Sequence, residues 1–260
     1  MPLEEIINRQ GIIISAPASG AGKTTVTLGL INAFARKGSV QPFKSGPDYI
    51  DSKFQSVAAD RPSYNLDTWA MSSSDILNMI GMVGPSDICI AEGSMGLFDG
   101  VISKGAGGNG STADLASITN WPVILVVDCA KQAQSVAALI AGFNSFRHDI
   151  TIGGIILNNI SSKRHEALVV SEVSKTKIPI LGVIPRSNEL TIPERHLGLV
   201  QAEDLSDLEQ LIFKLGTLIE ENCDLEAIAC TARNSFPPIS TLQKITPPAQ
   251  RIAIAKDNAF

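Results

Sequence analysis

Short runs of β-branched and aliphatic residues recur along the chain, at residues 12–14, 40–43, 88–90, 123–127, 155–157 and 180–184, and they are continuous rather than alternating. A strand with one face in water alternates apolar and polar side chains. A continuous run of this length predicts a strand covered on both faces, as crossover helices cover a parallel sheet. Helix candidates fill the intervals, at 23–36, 73–82, 112–119, 132–146 and 163–175. The alternation predicts an α/β fold with a doubly wound, mostly parallel sheet. Near the end, Leu205, Leu208, Ile212, Leu215 and Ile219 recur at three- and four-residue spacing, which predicts an amphipathic helix over 204–223 that packs back on the sheet.

With 260 residues, 44% hydrophobic and 18% charged, the chain has enough apolar surface for one large domain. The net charge of -5 comes with no dense Lys/Arg run, which argues against nucleic acid and against a lipid surface as partners. No apolar run reaches the roughly 18 residues a membrane span needs, and Glu4, Glu5 and Arg9 break up the N-terminus. A soluble, cytoplasmic protein is expected. Cys89, Cys129, Cys223 and Cys230 lack paired spacing, so they read as thiols in a reducing compartment rather than zinc ligands or disulfides. Three segments are expected: a domain over 1–234, an extended linker over 235–250 carrying Pro237, Pro238, Pro247 and Pro248, and a fresh strand opening at Arg251-Ile252-Ala253-Ile254-Ala255.

The first apolar run leads into Ala16-Pro17-Ala18-Ser19-Gly20-Ala21-Gly22-Lys23-Thr24-Thr25, and a helical pattern follows at once. Strand, glycine loop and helix in that order make a phosphate cradle: Gly20 and Gly22 let backbone N–H groups approach an anion at the positive end of the helix. Ser19 to Thr25 are the candidate nucleotide contacts. Lys23 is placed on the β- and γ-phosphates of ATP and the Thr24 hydroxyl on Mg²⁺, within a sheet of the P-loop NTPase type. Pro17 stands where the usual pattern has a glycine, so the loop is a variant.

Two further strand ends carry acids. Lys44-Ser45-Gly46-Pro47-Asp48-Tyr49-Ile50-Asp51 follows the second run, where Gly46-Pro47 forces a turn. Asp48 and Asp51, three residues apart, face the same way if the segment opens a helix, and such a pair suits Mg²⁺. The structural alternative is a pair of helix-capping aspartates. Glu92, ending the third run, stands where an acid orders metal or water in phosphate-loop enzymes, and Glu92-Gly93-Ser94-Met95-Gly96-Leu97-Phe98-Asp99-Gly100 has glycines suited to close approach by a ligand. The alternative is a solvated Glu92 in a flexible turn. Residues 105–111 read as a mobile lid, and Thr112 as a helix cap ahead of Asp114. Lys44 is a candidate for the γ-phosphate or a substrate carboxylate, against the alternative of a solvated lysine. His148 and His165 read as structural or solvated. Arg186, Arg195 and His196 suit a polycarboxylate substrate, with local pairing and turn capping weighed equally for the last two.

Taken together with Asn65-Leu66-Asp67 and Ile192-Pro193-Glu194-Arg195-His196-Leu197-Gly198-Leu199, these motifs closely resemble the cobyrinic (or hydrogenobyrinic) acid a,c-diamide synthase family, from about residue 11 to 200. Residues 251–260 are similar to the opening of that family's glutamine amidotransferase domain. The resemblance implies a fold like dethiobiotin synthetase and an ATP- and Mg²⁺-dependent carbon-nitrogen ligase of cobalamin biosynthesis. It would amidate the a and c carboxylates of a corrin polycarboxylate through acyl phosphates. It implies Lys23, Lys44, Asp48, Asp51 and Glu92 as catalytic residues, with Thr24, Asp48 and Glu92 on the metal. Asn158 would read the adenine edge, and Pro185 and Arg186 would complete the nucleotide pocket.

No Gly-x-Cys-x-Gly elbow is present, so ammonia or a separate glutaminase chain is the expected nitrogen source. A homodimer is compatible with this reading. The alternatives are an amidoligase on another tetrapyrrole acid and a nonenzymatic ATP-binding relic domain.

Overall fold

A computed structural model describes residues 9–187, 194–195, 198–199, 205, 207–235 and 249–253. β1 (Arg9–Ser15) is followed by α1 (Lys23–Ala35), β2 (Val40–Ser45), α2 (Tyr49–Ala59), β3 (Tyr64–Leu66), α3 (Ser73–Met82) and β4 (Ile88–Glu92). Next come α4 (Thr112–Thr119), β5 (Val123–Asp128), α5 (Val136–Phe146), β6 (Ile152–Ile160), α6 (Lys163–Val173) and β7 (Ile180–Pro185). β8 (Glu194–Arg195) and β9 (Gly198–Leu199) form a small antiparallel pair. α7 (Leu208–Asn222), α8 (Leu225–Thr231) and β10 (Arg233–Ser235) complete the described α-helices and strands.

The main sheet has the order β3-β2-β4-β1-β5-β6-β7, all parallel. The chain winds outward from β1 to β3, returns through β4, and then builds the other half. The strand order therefore reverses beside β1, and ligands of such sheets bind beyond the carboxyl ends at that reversal.

Why the runs are continuous is visible in the core. Ile13 faces one apolar layer, built with Ile76 and Ile80 of α3, Leu115 of α4, Val136 of α5 and Val169 of α6. Ile12 and Ile14 face the other, with Leu28 and Ile31 of α1, Phe54 of α2, Leu215 of α7 and Ile228 of α8. Side chains on both faces must be apolar when helices cover both.

Six elements lay outside the sequence expectation: α2, β3, β8, β9, α8 and β10. α2 has a readable signal, since Asp48 caps it and Ile50, Phe54 and Ala58 recur every four residues toward the α1 side. β10 carries only Arg-Asn-Ser, which no hydrophobic pattern marks; it pairs antiparallel with the start of β1, Arg9↔Ser235 to Gly11↔Arg233. Residues 132–135, expected in the fifth helix, form turns instead, with Gln132 N–H on the Cys129 carbonyl and Val136 N–H on that of Ala133. The linker expected over 235–250 begins inside β10 at Ser235, and residues 236–248 lie outside the described residues. Arg251 to Ala253 carry no strand, and the rest of that expected strand lies outside the described residues. Among the described residues no helix is long and apolar enough to cross a membrane.

α1, which carries the phosphate loop at its start, is held against α7 by close approach. A Cβ on Gly29 would come 2.5 Å from Ile219 Cγ1 and 2.7 Å from the Leu215 carbonyl oxygen. Glycine in a helix interior ordinarily costs about 1 kcal/mol relative to alanine. Here overpacking, at about 1–3 kcal/mol, should exceed that gain. Gly29→Ala is expected to lower the urea midpoint of unfolding; a rise would show that the two helices separate without loss.

Candidate functional site

The loop after β1 turns through two left-handed glycines, Gly20 at φ 78° and Gly22 at φ 86°, a backbone that L side chains rarely adopt. Gly22 caps α1 without any side-chain hydrogen bond, so the first-turn N–H groups are left facing the loop's concave side. A Cβ on Gly20 would meet nothing within 4 Å, whereas one on Gly22 would overlap Asn158 Nδ2. Asn158, near the end of β6 and buried, donates Nδ2 to the Ala21 carbonyl at 2.9 Å. It thus braces the loop from below. Ser19 is exposed, and Thr24 and Thr25 are half-buried.

Strand register brings the other groups to this loop. In the parallel pairings Glu92 lies opposite Ile14 of β1 on one side and opposite Lys44 of β2 on the other. Glu92 is fully buried. Its Oε1 accepts from Thr24 Oγ1 at 2.7 Å and Lys23 Nζ at 3.3 Å, and lies 3.2 Å from Lys44 Nζ. Its Oε2 accepts from Gln55 Nε2 at 2.7 Å. Lys44, 2% exposed, also donates to Asp51. The expected solvated alternatives for Lys44 and Glu92 are therefore overturned, because strand register buries each against the other.

These contacts set the ionisation states. Burial pushes the Glu92 carboxyl up, but Lys44 and then Lys23 more than reverse this and hold it at about 2. Burial pulls Lys44 down, and Glu92 and Asp51 outweigh it, so the ammonium is held above its ordinary range. Asp51 goes the other way: burial and the nearby Glu92 charge outweigh Lys44 and raise it to about 6.

Asp48 serves as the cap of α2, its Oδ1 accepting from the N–H groups of Ile50 at 3.0 Å and Asp51 at 3.2 Å. The residue is half-buried beside the cluster. Among the described residues no three His, Cys, Asp or Glu side chains are arranged to hold a metal by themselves. The oxygen set of Thr24, Asp48 and Glu92 fits Mg²⁺, which takes one or two carboxylates and fills the rest of its shell with water and phosphate oxygens.

Other expectations need adjustment. The glycines after Glu92 pack against the protein itself: a Cβ would come 2.5 Å from Thr112 Oγ1 at Gly93 and 2.6 Å from the Pro17 carbonyl at Gly96. The cap of α4 is Ser111, not Thr112, whose hydroxyl instead donates to the Ser94 carbonyl at 3.2 Å. The segment 105–111 is tied down, with the N–H groups of Ala106 and Gly107 on the carbonyls of Trp69 and Thr68. His165 is structural: Nδ1 accepts from the Ser161 N–H at 3.1 Å, which leaves Nε2 to donate to the Gln132 carbonyl at 2.7 Å. Pro185 and Arg186 are exposed at the end of β7, three strands from β1. The side chain of Arg195 and all of His196 lie outside the described residues. Gln55, which no motif singled out, is the site residue the sequence reading missed.

Because the folded state raises Asp51 from 3.8 to about 6, it binds a proton that the unfolded chain has released, and stability from this group falls as pH rises through that window. Glu92 acts oppositely, its contribution being lost only as pH falls from 4.5 through about 2. Asp51→Asn should flatten the decline on the Asp51 side, so that urea melts of variant and wild type converge in the variant's favour between about pH 4 and 6. A gap independent of pH would contradict the assignment.

The family described as the CobQ/CobB/MinD/ParA nucleotide binding domain matches residues 12–200. Among curated proteins, the chain is 45% identical over 252 residues to the hydrogenobyrinate a,c-diamide synthase of Rhodobacter capsulatus and 44% identical over 256 residues to that of Brucella anthropi. Each match covers 96% of this chain and 58% of the relative, so the chain spans less than two thirds of the proteins it resembles. Among solved structures, chloroplast FtsY from Physcomitrella patens aligns at TM-score 0.48 with 15% identity, covering 79% of this chain and 65% of that one, too loose a likeness to add anything. The match over residues 12–200 takes in the glycine loop, Lys44 and Glu92 alike: the chain belongs to the CobQ/CobB/MinD/ParA nucleotide-binding domain family.

Proposed function

We propose that this chain is the synthetase domain of an ATP-dependent amidoligase that acts on the a and c side-chain carboxylates of hydrogenobyrinic or cobyrinic acid. The observation that carries the reading is the convergence on Glu92 of Lys23 and Thr24 from the phosphate loop and Lys44 from the neighbouring strand. The name shared by the relatives, hydrogenobyrinate a,c-diamide synthase, supports the substrate class.

A carboxylate resists ammonia because its leaving group would be oxide. In the proposed reaction a carboxylate oxygen of the substrate attacks the γ-phosphorus of ATP, the bond to the bridging oxygen breaks, and ADP leaves. Ammonia then attacks the acyl carbon, the C–O bond to phosphate breaks with its electron pair, and the amide nitrogen gives up a proton. Lys23 and Lys44 would neutralise charge on the transferring phosphoryl oxygens, which is where such reactions need help. Thr24, Asp48 and Glu92 would hold magnesium, which would supply further charge neutralisation on the nucleotide. Thr24 suits this role because its only hydroxyl proton is already given to Glu92, which leaves its lone pairs unspent. Asp51 would hold Lys44 in register, and Asn158 with Pro185 and Arg186 would receive the base.

The nitrogen would come from free ammonia or from a glutaminase. Burial raises the thiols of Cys89 to about 11 and of Cys129 and Cys223 to about 12, the reverse of what a cysteine nucleophile requires.

With MgATP and ammonium, the chain should add one amide mass increment per carboxylate to hydrogenobyrinic or cobyrinic acid. Lys23→Ala and Glu92→Gln, checked for folding by circular dichroism, should each lower this rate about 10²–10³-fold. Near-normal rates in either would remove the site assignment. Glutamine as sole nitrogen source should give no amide and release no glutamate; glutamate release would overturn the ammonia-dependent reading.

A further inference from the structure

Gln55 sits on the inner face of α2, fully buried, with both ends of its amide occupied. Nε2 donates to Glu92 Oε2 at 2.7 Å, and Oε1 accepts from Ser63 Oγ at 2.8 Å. The orientation is not arbitrary. A carboxylate that accepts from Lys23 and Thr24 and pairs with the Lys44 ammonium is an acceptor only, so the amide must turn its N–H toward it and its oxygen toward Ser63. Ser63 is anchored in turn, its N–H donating to Ser56 Oγ at 2.9 Å, and Ser56 Oγ donates to the Ser52 carbonyl at 2.7 Å. A file of hydrogen bonds thus runs from the backbone of α2 to one oxygen of the buried acid.

The consequence for Glu92 is that its two oxygens are inequivalent. Every group from the phosphate loop and from Lys44 gathers at Oε1, while Oε2 is spent on Gln55. Without that donor the carboxylate could turn and offer either oxygen, or both. A magnesium ion takes one oxygen from a carboxylate in a strict octahedron, whereas the larger calcium ion readily takes two.

We infer that Gln55 is a positioning residue that engages Glu92 Oε2 and so confines the metal that accompanies the nucleotide to Oε1, which Lys23 vacates when it turns to the phosphates, favouring magnesium over calcium. The inference rests on the nucleotide-site reading proposed above, and outer-sphere partners of this kind typically change metal affinity or activity 10- to 100-fold.

The test is a calorimetric titration of ATP into the 260-residue chain, without metal and then across Mg²⁺ and Ca²⁺ series. In Gln55→Met, metal-free ATP affinity should stay within about 2-fold, while the Mg²⁺ concentration for half-saturation rises about 10-fold and that for Ca²⁺ moves less. Ser63→Ala, at a half-buried position, should shift the Mg²⁺ value in the same direction by a smaller factor, and it decides the question if Gln55→Met does not fold. In the amidation assay Gln55→Met should lower kcat with the KM for the tetrapyrrole unchanged. Wild-type Mg²⁺ and Ca²⁺ values in the folded variants would overturn the inference. A wild-type chain that binds no ATP would overturn the nucleotide site and this inference together, whereas one that binds MgATP but amidates nothing would sink only the ligase reading, the titration still deciding Gln55.

Discussion

Taking a carboxylate wholly out of water carries a penalty of several kcal/mol, which attraction to a partner repays only when the geometry is good and the remaining lone pairs are also met. Glu92 meets that condition with three hydrogen-bond donors and an ion pair from three different elements: Lys23 and Thr24 of α1, Gln55 of α2, and the Lys44 ammonium of β2. Those elements are separate in the chain, and this carboxylate touches all three. The loop, the second strand and the capped helix therefore form one unit. A change to any member strands a buried charge in the others, which is costlier than the pair itself is worth.

The same unit explains why two aspartates three residues apart differ. Asp48 stays half-buried at the start of α2, where free N–H groups welcome a carboxylate. Asp51, one turn further in, is buried beside Glu92 and retains its place only through Lys44. The spacing that set both on one side of a helix also set them at different depths, so one is an electrostatic anchor for a backbone and the other a buried counter-ion.

How much of this was legible follows from what each feature needs. The doubly wound sheet is legible because burial on both faces writes continuous apolar runs, as at Ile12 to Ile14. The phosphate loop is legible because glycine and lysine at fixed spacing have few other uses. Gln55 was not, since a buried amide next to Phe54 looks like any polar residue on a helix until its partner, 37 residues away, is located. Nor was the packing role of Gly93 and Gly96: the same absence of a side chain admits a ligand or a neighbouring backbone, and the pattern cannot distinguish them. β10 was invisible because its Arg-Asn-Ser pairs through the backbone alone.

That last strand fixes the level of the sheet at which Ser235 stands. Running antiparallel to β1, β10 descends from the level of Gly11 to that of Arg9, while the phosphate loop stands at the far end of β1 beyond Ser15. At about 3.3 Å per residue Ser235 and the loop are roughly 20 Å apart, on opposite rims of the sheet. Whatever chain follows Ser235 therefore sets out from the rim opposite the one that carries Lys23, Lys44 and Glu92.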